Sequence, residues 1–430
     1  IRDLAGYSQR QLDLGGGFYG MMPDQLADPD SIPVPADDES RLAAALHLAR
    51  QRQANTAALA QVNADYPASF RGASLAEFLA GIEGETSANL GLELDASALQ
   101  GFFEALADGE ISATEATALA ELPSNQAMLR HRRNLGYVPE PLPDTDSLAR
   151  MIMMAGSTDP LDRLWCWLSS QNAFDYADLS QNAVDYELLL DELDSHGDAL
   201  VDGALARIAG YTPADIECET TFALTVGWAI RGWATPDMAG LNIEQVKDDW
   251  PYLFGTMIEE TYHRLQLELF PSAQDTPAGD FSDLVAVDTG DARYDRLFEI
   301  VFYTVAEGAA NLVRGSYTAT DLESKAPAGA ELMARFVNQV VADGDTESAD
   351  ALINEGLQGN GPLYGLGRKL AGHIAEHEGT QAVGTYQQQG PVAFFLRGAE
   401  LAAASGDPLL SQEVLTAVKD LERHIDELNK

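Results

Sequence analysis

Two long segments with the periodicity of a helix place the strongest constraint on the fold. One runs from about residue 245 to 269 and the other from about 293 to 314, and in both the apolar residues recur every three or four positions. Helices of this length span a small domain, because each residue adds about 1.5 Å. The chain must therefore build its core from packed helices, with these two near the centre.

Shorter segments with the same periodicity predict further helices. They cover about 40–60, 74–82, 97–108, 113–120, 145–155, 160–172, 184–195, 197–210, 363–378 and 409–429. Thr220–Ala229 differs, because it is rich in β-branched and aromatic residues without a helical period, and Ala239–Ile243 is a second short candidate strand. The predicted fold class is mainly α with a small β-sheet, an α+β arrangement.

The acidic excess limits what the surface can bind. The 430 residues include 68 Asp and Glu against 26 Lys and Arg, a formal net charge of −42 that is spread along the chain. Phosphate backbones and anionic lipids bind clusters of Lys and Arg, so nucleic acid and membranes are excluded as partners. Scattered carboxylates indicate a hydrated, halophilic-like surface, because salt screens their mutual repulsion.

Cysteine content and hydropathy predict a soluble protein without a disulfide framework. The two cysteines, Cys166 and Cys218, are expected to be buried thiols. No stretch of about eighteen predominantly apolar residues occurs, so no membrane-spanning helix is predicted. Because the sequence begins at Ile1 without a Met, the expected compartment is either the cytoplasm of a salt-adapted organism or, after removal of a signal peptide, the exterior.

The first long helix carries residues with the spacing of metal ligands. Glu259 and His263 are four residues apart and therefore share one helix face, with Glu260 beside them. On the second long helix Glu307 has small neighbours such as Gly308, which would let another helix approach closely. A metal held by Glu259, His263 and Glu307 would give the Glu307 carboxylate a partner and leave a coordination position for water.

This pattern resembles the motif of the gluzincin-type zinc-dependent peptidases, in which an H-E-x-x-H helix is followed by a Glu-Gly-x-Ala helix. In this sequence Glu259 stands where that motif has its first His. The resemblance extends over roughly 90–400 and is most specific over 220–400. It includes Gly227–Ala229, Gly232–Ala234, Gly240–Ile243, Tyr364–Ala371, Gly379 and Pro391–Phe395.

The resemblance implies a zincin-like metallopeptidase architecture and a hydrolase acting on a peptide or small-molecule substrate. Glu260 would be the general base for a metal-activated water, with Glu259, His263 and Glu307 as ligands of a divalent metal, zinc by family resemblance. A carboxylate in place of an imidazole adds negative charge, which weakens the Lewis acid and shifts the preference towards Mn, Mg or Fe. The alternative is a catalytically degenerate protein of the same fold that binds a metal or another ligand.

The same resemblance suggests four parts of the chain. Residues 1–88 form an irregular or helical N-terminal extension, and residues 89–215 form a helical subdomain. Residues 216–405 form the zincin-like catalytic domain, and residues 406–430 form a C-terminal helix.

A second pattern competes with the first for the metal. His373, Glu376 and His377 fit the inverted motif H-x-x-E-H, again with two His four residues apart. Their helix also offers a different role, in which His373, His377 or the catalytic candidate Tyr364 joins the first site, as an additional ligand or to stabilise an oxyanion.

A structural interpretation needs no metal. Glu259 and Glu260 would then be solvated, and His263 would pair with either of them. Glu307 would cap a helix or form a salt bridge with Arg314 or Arg293. The sequence leaves these alternatives open.

Overall fold

The computed structural model describes residues 74–82, 89–134, 144–157, 176–226, 232–243, 249–270, 284–285, 287–315, 322–358 and 360–428. Within these ranges the chain is mainly helical and contains a small mixed sheet of four strands. The predicted fold class, mainly α with a small β-sheet, is confirmed. The predicted helices at about 40–60 and 160–172, and Cys166, lie outside the described residues.

The sheet has the strand order β1-β2-β4-β3. The strands are β1, Leu90–Asp95; β2, Cys218–Thr225; β3, Gly232–Ala234; and β4, Met238–Asn242. β4 pairs in parallel with β2 and antiparallel with β3. Both predicted strands are present as β2 and β4, whereas β3 is too short to show a period. Cys218, on β2, is a buried free thiol as expected, and burial raises its pKa.

Of the helices that precede β2, those at Pro123–Asn134 and Tyr176–Gln181 were not predicted, and the others follow the predicted segments with one correction. They are α1, Leu75–Leu79; α2, Ser97–Ala107; α3, Ala113–Ala120; α4, Pro123–Asn134; α5, Thr145–Ala155; α6, Tyr176–Gln181; and α7, Ala183–Ala209. The two helices predicted at 184–195 and 197–210 are wrong as separate elements, because α7 is continuous through Gly197. A side chain at Gly197 would meet Leu94 Cδ2 at 3.3 Å, so the glycine serves packing and does not end the helix.

The helices that follow the sheet include the two long segments and several that periodicity missed. They are α8, Trp250–Leu269; α9, Ala292–Arg314; α10, Ala326–Phe336; α11, Ala349–Leu357; α12, Pro362–Glu378; α13, Gln381–Gln388; α14, Pro391–Ala404; and α15, Gln412–Leu428. α10 continues into a π-helical turn at Val337–Ala342. Proline in the first turn marks the start of α10, α12 and α14, a signal that could have located α10 and α14.

α9 and α12 cross with their backbones in direct contact. A Cβ added to Gly308 of α9 would overlap the main chain of Gly367, and one added to Gly367 would overlap the carbonyl oxygen of Thr304. Only glycine at both positions allows this approach. The close helix approach predicted from the small neighbours of Glu307 is therefore present, and α12 is the helix that approaches.

The described residues fall into two compact units. One comprises the described parts of 1–81, 93–201 and 221–257, and the other comprises those of 82–92, 202–220 and 258–430. The second unit contains α9 to α15 and the C-terminal half of α8, including Glu259, His263 and Glu307. Among the described helices, none is both long and apolar enough to cross a lipid bilayer.

Candidate metal centre

α8 and α9 bring three predicted ligands together. Each of Glu259, His263 and Glu307 offers one ligand atom, and these atoms lie within 4.8 Å of one another. Glu259 of α8 contacts Arg314 of α9, and His263, one turn later on α8, contacts Glu307, which lies two turns earlier on α9. The two helices are therefore antiparallel at this point. Glu259 and His263 are buried, while the Glu307 side chain is 21% exposed and gives the cluster an open side.

A buried glutamine fixes the orientation of the His263 ring. Gln266 Nε2 donates to the Ala306 carbonyl oxygen at 2.9 Å and to Gln387 Oε1 at 3.1 Å, which turns Gln266 Oε1 towards His263 Nδ1 at 2.8 Å. Because that oxygen only accepts, His263 Nδ1 carries a hydrogen. The other ring nitrogen, Nε2, faces Glu307 Oε2 at 3.5 Å. Ligand histidines in metal sites are held in this way.

The glutamine network continues into the core. Gln387 Nε2 donates to the Tyr262 hydroxyl at 2.9 Å, and both side chains are fully buried. Burial raises the pKa of Tyr262, so the phenol stays neutral. Each of these buried polar groups therefore has a partner, which makes the position of His263 rigid.

Glu259 is tied to α9 by two donors. Arg314 Nη1 forms an ion pair with Glu259 Oε2, and Asn311 Nδ2 donates to Glu259 Oε1 at 2.9 Å. The Arg314 and Glu259 side chains are only 8% and 11% exposed. The structural interpretation of Glu259 as a solvated residue is therefore wrong, and Arg314 is paired with Glu259 instead of Glu307. Two of the four lone-pair positions of the carboxylate remain open to a further cation.

Burial and mutual charge shift the pKa values of two groups. Burial, reinforced by Glu259 and Glu307 and opposed by His263 and Arg314, raises the pKa of Glu260 to about 8. Glu260 nevertheless keeps some contact with solvent. Burial works against charge on His263, but the nearby carboxylates, chiefly Glu307, outweigh it and raise its pKa to about 10. Both shifts favour the protonated form of these groups at neutral pH.

One distance within the cluster is compatible with a divalent metal. Two ligand atoms on a tetrahedral ion with bonds of about 2.0–2.2 Å are about 3.3–3.6 Å apart. The separation of 3.5 Å between His263 Nε2 and Glu307 Oε2 lies in this range. A cation would displace the proton from His263 Nε2, while Nδ1 keeps its bond to Gln266. The guanidinium of Arg314 acts against the cation, because it already neutralises Glu259.

The other predicted residues lie elsewhere on α12. His373, Glu376 and His377 form their own group of ligand atoms within 4.8 Å, separate from the group on α8 and α9. Tyr364 lies one turn before Arg368, whose Nη1 donates to the Asn311 carbonyl oxygen. The contacts of the described residues do not test a catalytic role for Tyr364, which stays a prediction.

Three partners of the cluster, Asn311, Gln266 and Gln387, were missed from the sequence, and Arg314 was assigned to Glu307 instead of Glu259. Asn311 and Arg314 follow Glu307 by four and seven residues and so lie on its helix face, a spacing that could have identified them. Gln266 follows His263 by three residues and could have been found in the same way. Gln387 could not, because it is 121 residues from Gln266.

Comparison of the chain with known proteins found no similar protein. No family model matches the chain, and no curated protein or solved structure matches it. The functional interpretation therefore depends on the site alone.

Proposed function

We propose that the protein is a metal-dependent hydrolase with Glu259, His263 and Glu307 as ligands of a divalent cation and Glu260 as general base. The observation that carries the proposal is the convergence of His263 Nε2 on Glu307, with Nδ1 held by Gln266. A histidine held in this way presents one ring nitrogen to the cluster, as a metal ligand does. The zincin-like architecture and the peptide or small-molecule substrate belong to the same proposal, through the motif.

Glu260 carries the proton transfer. Its pKa of about 8 lies near neutral pH, which suits a group that both takes and returns a proton. As the carboxylate it takes a proton from the attacking water, and as the acid it returns that proton to the leaving nitrogen of a peptide. A bound divalent cation would polarise the substrate carbonyl.

The ligand set determines which cation is expected. One imidazole and two carboxylates suit zinc, which the motif implies, and also Mn²⁺, Fe²⁺ and Mg²⁺, which prefer oxygen ligands. Arg314 removes most of the charge that Glu259 adds to the set. This partial neutralisation keeps the cation closer to the Lewis acidity of a site with two histidines.

The second candidate is a degenerate protein that binds a metal or another ligand without hydrolysis. The ion pair between Glu259 and Arg314 favours it, because a buried guanidinium already satisfies the carboxylate. If the ligand is a metal, both candidates predict that it binds to His263 and Glu307. They differ only in whether the protein hydrolyses a substrate.

Metal content tests the site. The purified chain, freed of metal with a chelator and dialysed against Zn²⁺ or Mn²⁺, should retain about one ion that Glu307→Gln does not retain, because loss of a ligand weakens binding. Glu268→Gln is the matched control, since Glu268 lies on α8 and pairs with Arg264 at the surface. Equal retention by the Glu307 and Glu268 variants would contradict the proposal.

Activity separates the two candidates. The metal-loaded chain should cleave a mixture of unstructured peptides, and Glu260→Gln should lower kcat by about 10²–10⁴-fold while metal content stays unchanged. Glu259→His, which restores the motif, is the second test. Cleavage by this variant alone, with none by the native chain, would mean that the natural protein is degenerate.

A further inference from the structure

α12 carries a second group of metal-ligating side chains near its C-terminal end. His373 and His377 are four residues apart, and their rings are nearly parallel, with an interplanar angle of 13° and centroids 6.2 Å apart. One ring nitrogen from each and one oxygen of Glu376 lie within 4.8 Å of one another. Two imidazoles and a carboxylate on one helix face form a chelating set.

None of the described residues forms a hydrogen bond with the His373 ring. Both of its nitrogens are shielded from solvent, and neither has a partner among the described residues. The carboxylate of Asp407 is 3.9 Å from Nε2, which is too far for a hydrogen bond. A shielded polar group without a partner costs free energy, and a bound cation would remove that cost.

The His377 ring is oriented by a serine. Ser405 Oγ donates its only hydrogen to the Leu401 carbonyl oxygen at 2.8 Å, so it accepts from His377 Nε2 at 2.7 Å. In the neutral ring Nδ1 then keeps the lone pair that a metal requires. A hydrogen bond from the opposite nitrogen is the usual support of a ligand histidine.

The electrostatic surroundings favour a cation. The cluster lies in the last two turns of α12, where the unpaired carbonyl groups of a helix carry partial negative charge. Lys369, one turn before His373, is paired with Asp407 at 2.6 Å, so its charge is compensated locally. Glu376 is exposed and adds a carboxylate on the solvent side.

We propose that His373, Glu376 and His377 form a second, independent cation site that binds metals with a preference for imidazole, the class of Zn²⁺, Cu²⁺ and Ni²⁺. Two nitrogen ligands distinguish it from the carboxylate-rich site of α8 and α9, which holds one imidazole. This site does not depend on the proposed hydrolase activity, because it shares no ligand with Glu259, His263 or Glu307.

Copper and zinc titrations of the full chain test the site. The titrations are done in excess Mg²⁺, which occupies exposed carboxylates. Under these conditions His377→Ala should bind about one zinc ion fewer than the native chain. Its Cu²⁺ electron paramagnetic resonance spectrum should lose the coupling to two imidazole nitrogens. His196→Gln is the control, a partly exposed histidine on another helix. Because His377 is exposed, its replacement leaves the core intact.

The outcomes separate this site from the first. If His377→Ala binds one ion fewer than native, the second site is supported. This holds whether His263→Ala loses a further ion or none. His373→Gln should reproduce the effect of His377→Ala. Native stoichiometry and an unchanged copper spectrum in His377→Ala would overturn the proposal, even if His263→Ala had lost its ion.

Discussion

The α8–α9 cluster and the α12 cluster contain the same kinds of side chain in opposite surroundings. In the first, Glu259, His263 and their partners are buried, and Arg314, Asn311 and Gln266 satisfy them. In the second, Glu376 and His377 are exposed, and His373 has shielded nitrogens without a partner. The i, i+4 spacing that suggests a ligand pair is therefore equally compatible with a completed buried network and with an incomplete surface group. Hydrogen-bond partners distinguish the two.

The largest expected difference concerns stability. Arg314→Met leaves the buried Glu259 carboxylate without its cation and should lower the free energy of unfolding by about 3–5 kcal/mol. His377→Ala, in the exposed cluster, should change it by less than about 0.5 kcal/mol. Urea titrations followed by circular dichroism measure both.

A double variant shows whether the pair itself accounts for that loss. Replacing Glu259 and Arg314 together by Met removes both buried charges, and stability should return most of the way to native. If Arg314→Met alone were as stable as native, the ion pair would not be part of the folded protein in solution.

A smaller effect is expected at the glycines beside each cluster. Gly308→Ala, next to Glu307, should destabilise the protein by about 1–3 kcal/mol, because its Cβ would overlap the Gly367 backbone. Gly372→Ala, next to His373, meets nothing within 4 Å and should stabilise the protein by up to about 1 kcal/mol through helix propensity. Thermal unfolding of the two variants measures this contrast, and equal shifts would contradict the backbone contact.

A separate effect is the pH dependence of the metal-free protein. Folding raises the pKa of Glu260 to about 8 and that of His263 to about 10, so the native state holds more protons than the unfolded chain between about pH 4.5 and 10. The free energy of unfolding should therefore fall as pH rises through this window. Metal affinity should rise over the same window, because ligands bind the cation only after losing their protons.

Glu260→Gln isolates the contribution of the carboxyl group. This variant should lose less stability than native between pH 5 and about pH 8 in urea titrations, because it has no buried charge to form. Glu376→Gln, which removes an exposed carboxyl, controls for the change in net charge. Parallel pH curves for native and Glu260→Gln would contradict the raised pKa.

Local signals in the sequence located much of the fold and only part of the site. Periodicity found α8 and α9 and placed Glu259 and His263 on one face, because helix geometry is set within a few residues. The small residue after Glu307 indicated a close helix contact for the same reason. Which arginine pairs with which glutamate depends on how α8 and α9 pack, and the sequence therefore led to the wrong partner for Arg314. The dependence of His263 on Gln387 is equally non-local.

The contact of Gly308 with Gly367 has a consequence for evolution. A substitution at Glu259 changes the contacts of one carboxylate with Arg314 and Asn311. A substitution at either glycine acts on the backbone instead, because any side chain there would push two helices apart. In homologous sequences this glycine pair should therefore vary less than Glu259, His263 and Glu307. The pair marks this helix crossing whatever the neighbouring cluster binds.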